Sequence, residues 1–253
     1  MPLETRTRAR TPVDPELSLP PVFTAVRLRE VGDAFAHAVS IAPTQGAGTL
    51  AYVGRFDLAE FAVVLEPEEP LAQARRVFYA GMTGLADALS VHAMPETAIT
   101  IGWPDSIFVN GGLVGGARLA WPQGIKEDET PPWLVFGAMI RTVSMTGTEP
   151  GLNPLSTALE EEGFTDVLSN EVVESFARNF MIALDAWQES GFGAVAKTYL
   201  SRLPIEQGVC SDIDDNGDLM IRRMGKTDVE RKALLTHLAK PAWLDPKSEG
   251  PRA

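Results

Sequence analysis

The chain has 253 residues, 45% of them apolar and 22% charged, enough to bury the greater part of its unfolded surface around a core. Its 22 basic and 34 acidic side chains leave a formal charge of -12, which repels nucleic-acid phosphates and anionic lipid surfaces and argues against both as partners. The single cysteine, Cys210, excludes an internal disulfide and a multi-thiolate metal site, in keeping with a reducing, cytoplasmic setting, and no window approaches the ~20 apolar residues of a membrane span.

Residues 1–20 carry Arg6, Arg8 and Arg10 among prolines and acids and read as a disordered tail; Glu4, Asp14 and Glu16 disfavour a transit peptide. Apolar spacing then predicts a strand over Phe23–Leu28, a helix from about Val31 to Ala42, and strands over Thr49–Gly54 and Glu60–Leu65. Leu71–Ala93 reads as one long helix, because Ala74, Val77, Phe78, Met82, Leu85 and Leu89 keep a three- and four-residue spacing that stops before Pro95. Thr97–Trp103, Ile107–Val109, Leu113–Trp121 and Leu134–Val143 read as successive antiparallel strands, with Asn110-Gly111-Gly112 supplying positive φ for a tight hairpin. The acidic loop Gln123–Pro132 is a solvated excursion. Asn170 is the expected N-cap of a second helix whose Val173, Phe176, Phe180, Leu184 and Trp187 share one face; that stripe is core, not a cofactor box.

A short helix over Phe192–Leu203 closes the main body, residues 21–203. Residues 204–253 form a small β-rich C-terminal domain, with a hairpin from Gly208–Ile213 and Leu219–Met224 and a short helix near Val229–Ala239. The whole reads as an α+β protein, a mostly antiparallel mixed sheet with helices packed on it.

Three motifs suggest chemistry that their neighbours do not support. Asp212-Ile213-Asp214-Asp215-Asn216-Gly217 begins like a calcium loop, but the twelfth position, which must supply a bidentate carboxylate, is Arg223; a turn with Asn216-Gly217 in left-handed conformation is the better reading. Gly225-Lys226-Thr227 ends like a phosphate-binding loop, but its first glycine is replaced by Met220. His37, His92 and His237 lie far apart, so no metal ligands are assigned, and Cys210 reads as a small buried residue of a strand.

The informative segment is Gly102-Trp103-Pro104-Asp105-Ser106-Ile107-Phe108-Val109-Asn110-Gly111-Gly112-Leu113-Val114-Gly115-Gly116-Ala117. It is a strand, a two-glycine turn and a return strand, and the pair Gly115-Gly116 leaves room for a ligand to approach the backbone. It resembles, without gaps, the signature of the biotin protein ligase and lipoate ligase family, roughly KWPNDIxVNGKKLGGI. The resemblance covers about residues 21–225 and implies a class II synthetase-like sheet. It also implies ATP- and magnesium-dependent activation of biotin, lipoate or a medium-chain fatty acid, with transfer to a lysine of an acceptor protein.

The departures fall where that chemistry would sit. Joining a carboxylate to a phosphate brings two anions together and needs cations and fixed donors. The family's arginine-bearing glycine loop matches Gly46-Ala47-Gly48, which carries no guanidinium; its bridging lysine matches Leu113; its Asn-Asp pair becomes Asp105-Ser106; and the asparagine of its GxGxN strand falls on Arg141. Each lost donor costs on the order of 10²–10³ in rate, so ordinary adenylation requires relocated cations. Arg141 and, less strongly, Arg55 are the candidates; Arg118 lies five residues from Leu113 and points to the opposite face unless a bulge intervenes.

The resulting expectation is a catalytically degenerate relative with no catalytic residue and no metal ligand. It keeps a pocket for a small carboxylic acid or nucleotide, lined by Trp103, Asp105, Leu113, Gly115, Gly116, Met139, Arg141, Gly46, Gly48 and Arg55. ATP, magnesium, biotin or lipoate are implied only if the family activity survives. The alternatives are an active acyl ligase working through Arg141, and a non-enzymatic interaction module whose old pocket is filled by side chains such as Leu113 and Met139. An acceptor protein is possible on the family reading, and the oligomeric state is left open.

Overall fold

The computed structural model describes residues 17–145, 155–165 and 167–252. All but four residues of the proposed disordered tail 1–20 lie outside this range. Seven strands form one sheet in the order β1-β2-β3-β7-β6-β5-β4. In chain order these are β1 (Thr24–Leu28), β2 (Thr49–Val53), β3 (Leu58–Leu65), β4 (Ile99–Gly102), β5 (Ser106–Val109), β6 (Gly112–Ala120) and β7 (Leu134–Arg141). Only β1 and β2 pair in parallel, across a helical crossover; every other neighbour is antiparallel, as the run of strands without intervening helices predicts.

One face of the sheet carries the main core. Helices α3 (Val77–His92) and α4 (Ser169–Ser190) pack against each other and both rest on this face, α4 on β3 and α3 on β4 and β6, with α5 (Phe192–Ser201) alongside. Close packing on both sides of α3 depends on two glycines. A Cβ at Gly81 would stand 2.3 Å from the Phe136 ring, and one at Gly84 2.9 Å from the Phe180 backbone. The aromatic stripe of α4 is core, with Phe136, Phe176 and Phe180 forming a stack whose successive ring centroids lie 5.3–5.5 Å apart. The opposite face is covered in part by the short helix α1 (Ala34–Ile41), whose Ala38 packs with Ala51, Ala62, Val64 and Val135.

Several predicted boundaries shift. The helix expected from Val31 starts at Ala34, because Asp33 caps it by accepting the Ala36 N–H at 2.8 Å. The segment predicted as one helix over Leu71–Ala93 is a single turn, α2 (Leu71–Ala74), followed by α3; between them Arg75 is buried and bonds the Glu127 carboxylate and the Asn216 carbonyl. Asn170 is not the N-cap of α4, which begins one residue earlier, and it lies buried in the first turn.

In the C-terminal region, β8 (Val209–Ile213) and β9 (Leu219–Arg223) form the expected hairpin, but only Gly217 of its turn has positive φ. The predicted Val229–Ala239 helix divides into a third strand, β10 (Val229–Lys232), and a short α6 (Leu234–Leu238). Cys210 is exposed rather than buried. Ile213, Leu219, Ile221 and Leu234 join the main core, and Tyr79 Oη donates to the Gly217 carbonyl at 2.5 Å. The last element went unforeseen: two-residue strands β11 (Leu244–Asp245) and β12 (Gly250–Pro251) pair as a small hairpin.

Candidate functional site

The signature segment folds as β4, β5 and β6. Asn110 and Gly111 take φ of 48° and 90°, the tight left-handed turn that the Asn-Gly pair predicts. On the return strand the register with β5 slips: Ile107 pairs with Gly115 and Phe108 with Leu113, leaving Val114 as an extra residue. This bulge resets the alternation of side chains along β6. Gly116 pairs with Met139 and Arg118 with Gly137, so Leu113, Gly116 and Arg118 all face the side of the sheet that α3 does not cover.

On that face Leu58, Leu113 and Met139 form an apolar floor, with Phe108 packed at its edge. The side chain resting on the floor is Trp243, only 1% exposed, carried by the segment that leads into β11. Its Nε1 donates to the Ala117 carbonyl at 3.1 Å. Gly116 makes this approach possible, since a Cβ there would lie 2.4 Å from Trp243 Cδ1 and 2.1 Å from the Asp105 carbonyl oxygen. A Cβ at Gly115 would meet the Met139 carbonyl oxygen at 1.9 Å. The glycine pair does leave room for a flat group, and the group occupying it is the protein's own indole.

Polar groups grip the same segment at both ends. Arg141, half-buried, donates from Nη2 to the carbonyls of Pro251 and Arg252 at 2.6 and 3.1 Å, and from Nη1 to that of Thr157 at 3.4 Å. Desolvation lowers its pKa, against the pull of Glu161. Asp105 is buried; its Oδ1 accepts from Ser106 Oγ at 3.0 Å and its Oδ2 from the Ala242 N–H at 3.3 Å. Burial pushes this carboxyl up to about 6, opposed by those two bonds and by nearby His237. Further along the face Glu60 is also buried and its pKa raised by desolvation, while its Oε1 accepts the Ala34 N–H at the start of α1.

The remaining predicted residues are not all brought to this place. Trp103 packs towards the helical side, its Nε1 donating to Tyr79 Oη at 3.2 Å and its ring 4.6 Å from that of His237. Gly46 and Gly48 lie at the far end of β2. Gly48 N donates to the Val64 carbonyl, six residues along β3 from Leu58 and roughly 20 Å away at strand spacing. The connection that reaches the site is instead Gly54–Asp57, where Arg55 clasps Asp57 through two bonds of 3.0 and 2.6 Å. That pair holds the guanidinium pKa up and the Asp57 carboxyl pKa down.

Strand alternation turns Arg118 to the face opposite Leu113 unless a bulge intervenes, and the bulge is present. Arg118 lies 4.4 Å over the Phe35 ring, 3.6 Å from the Asp33 carboxylate, and its pKa is lowered by burial.

The family model for the biotin/lipoate A/B protein ligase family matches residues 19–201. A biotin--[acetyl-CoA-carboxylase] ligase from Paracoccus denitrificans is 26% identical over 186 residues, covering 63% of this chain and 72% of the relative. Among solved structures, a biotin protein ligase-like protein of unknown function from Silicibacter sp. TM1040 superimposes with a TM-score of 0.75 at 26% identity, over 87% of this chain and 98% of the other. The biotin protein ligase of Aquifex aeolicus shares the fold, with a TM-score of 0.63 at 14% identity over 83% and 99% of the two chains.

Proposed function

We propose, from the premise that the chain belongs to the biotin/lipoate A/B protein ligase family, that it is a ligase-fold protein which no longer forms acyl-adenylates and retains a site for a small carboxylic acid. Leu113 carries this reading. It stands where the family resemblance puts the bridging lysine, and it is packed against Leu58, Met139 and Trp243 with no charge to offer two converging anions. The neighbouring cations are engaged elsewhere: Arg55 with Asp57, Arg118 with Asp33 and Phe35, and Arg141 with backbone carbonyls.

These residues do not fit a magnesium-bound triphosphate. Burial raises the pKa of Asp105 and Glu60, on or beside the same face, and such desolvation disfavours charge that no cation offsets. One carboxylate beside Arg141, with its apolar part on the floor, is a load the face can carry. Transfer to an acceptor protein forms no part of this reading.

Pyrophosphate exchange from ATP tests it. With magnesium and biotin, lipoate or octanoate the purified protein is expected to show none, and exchange with any of the three refutes the loss of chemistry. A second reading, a non-enzymatic interaction module, is favoured by the filling of the floor by Trp243. It predicts that none of the three acids raises the melting temperature.

A further inference from the structure

We propose that the C-terminal segment Ala242–Arg252 is an internal occupant of the ligand face, which an external apolar monocarboxylate must displace in order to bind. The inference rests on the acid-binding reading above and adds the step that controls access to the site. Trp243 covers the apolar floor with Leu244 packed beside it and its Nε1 bonded to the Ala117 carbonyl, and the segment's other polar bonds sit at its ends: the Ala242 N–H on Asp105, and the carbonyls of Pro251 and Arg252 on Arg141. The hairpin is closed on itself by the Arg252 N–H donating to the Trp243 carbonyl at 2.8 Å. It can therefore lift as a unit. Between its two short strands, Lys247, Ser248 and Glu249 are exposed.

The contacts made by Arg141 set the chemistry of the competitor. Among the described residues, its hydrogen bonds go to neutral carbonyls, whereas a carboxylate offers charge-assisted bonds about twice as strong. The floor beside it spans three neighbouring strands, β3, β7 and β6, roughly 10 Å across, which suits an unbranched chain of medium length. A tethered occupant acts at high effective concentration, so a free acid binds the intact protein weakly and binds better once the indole anchor is gone. A hairpin of two-residue strands makes few ladder bonds and opens at low cost, which makes exchange between the two occupants feasible without unfolding the sheet.

Amide hydrogen exchange on the full chain, titrated with octanoate, tests the proposal. Protection of residues 242–252 is expected to fall with added octanoate while that of β8 and β9 stays constant, and the half-effect concentration should match the Kd from calorimetry. Octanol, of equal chain length, should act at least roughly tenfold more weakly, because it lacks the charge for Arg141. In full-length Trp243→Ala, octanoate should bind about tenfold more tightly than in the wild type, in line with loss of the tethered competitor. If this variant fails to fold, the wild-type titration decides alone. Unchanged protection of the segment under octanoate, or equal action of octanol, overturns the proposal. Octanoate-dependent pyrophosphate exchange would instead overturn the loss of adenylation and leave the displacement standing.

Discussion

Replacing Asp105 by asparagine should remove one defined portion of the pH dependence of stability. The carboxyl is buried beside Ser106 and Ala242, and burial raises its pKa to about 6 from the ordinary 3.8. A raised carboxyl pKa means that the folded state holds the proton more tightly. The contribution is complete below about pH 3, where both states are protonated, and is lost as pH rises from about 4 through about 6, beyond which both are ionised. A difference of about two pKa units corresponds to roughly 3 kcal/mol. Asparagine keeps one oxygen acceptor and presents an NH2 donor in place of the other, so it loses one of the two bonds accepted from Ser106 Oγ and the Ala242 N–H at a cost that does not vary with pH; it carries no charge at any pH, so it lacks this decline. Glu60, also raised by burial, contributes in the same direction in both proteins and cancels in the comparison. Denaturant melts of the wild type and Asp105→Asn from pH 3 to 8 should therefore show a stability difference that shifts in favour of the variant by about 3 kcal/mol and levels off above pH 7. A difference that stays flat between pH 4 and 7 would show that Asp105 is not held in a desolvated state and would refute the reasoning.

Leu113→Lys places an ammonium against Trp243, Leu58 and Met139. The expected loss is on the order of 3 kcal/mol by chemical denaturation; an unchanged midpoint would mean that the floor is already wet. Gly116→Ala drives a methyl into the Asp105 carbonyl and the indole of Trp243. It should cost about 1–3 kcal/mol and raise amide exchange selectively in residues 242–252, whereas uniform loosening of the whole sheet would contradict a local clash.

The order of strands, the Asn110-Gly111 turn and the aromatic face of α4 were legible because each depends on local spacing: two-residue alternation, a left-handed dipeptide, a three- and four-residue stripe. The candidate site was legible only in part. Leu113, Gly116, Met139 and Arg141 come together because they stand on adjacent strands, but no periodicity reveals that Val114 bulges, and the facing of Arg118 turns on that one residue. The glycine loop at Gly46–Gly48 was matched by composition, and composition does not say which end of a strand a turn occupies. Trp243 escaped notice for a different reason: strands of two residues leave no pattern, and a lone tryptophan between Ala242 and Leu244 gives no sign of the distant floor it covers.

The stacked rings of Phe136, Phe176 and Phe180 belong to the helix-covered side of the sheet, away from Leu113 and Trp243. The larger core and the candidate site thus lie on opposite sides of a single layer of backbone. Substitutions on the Leu113 side therefore leave the ring stack on the other side untouched, so the two faces can vary independently of each other.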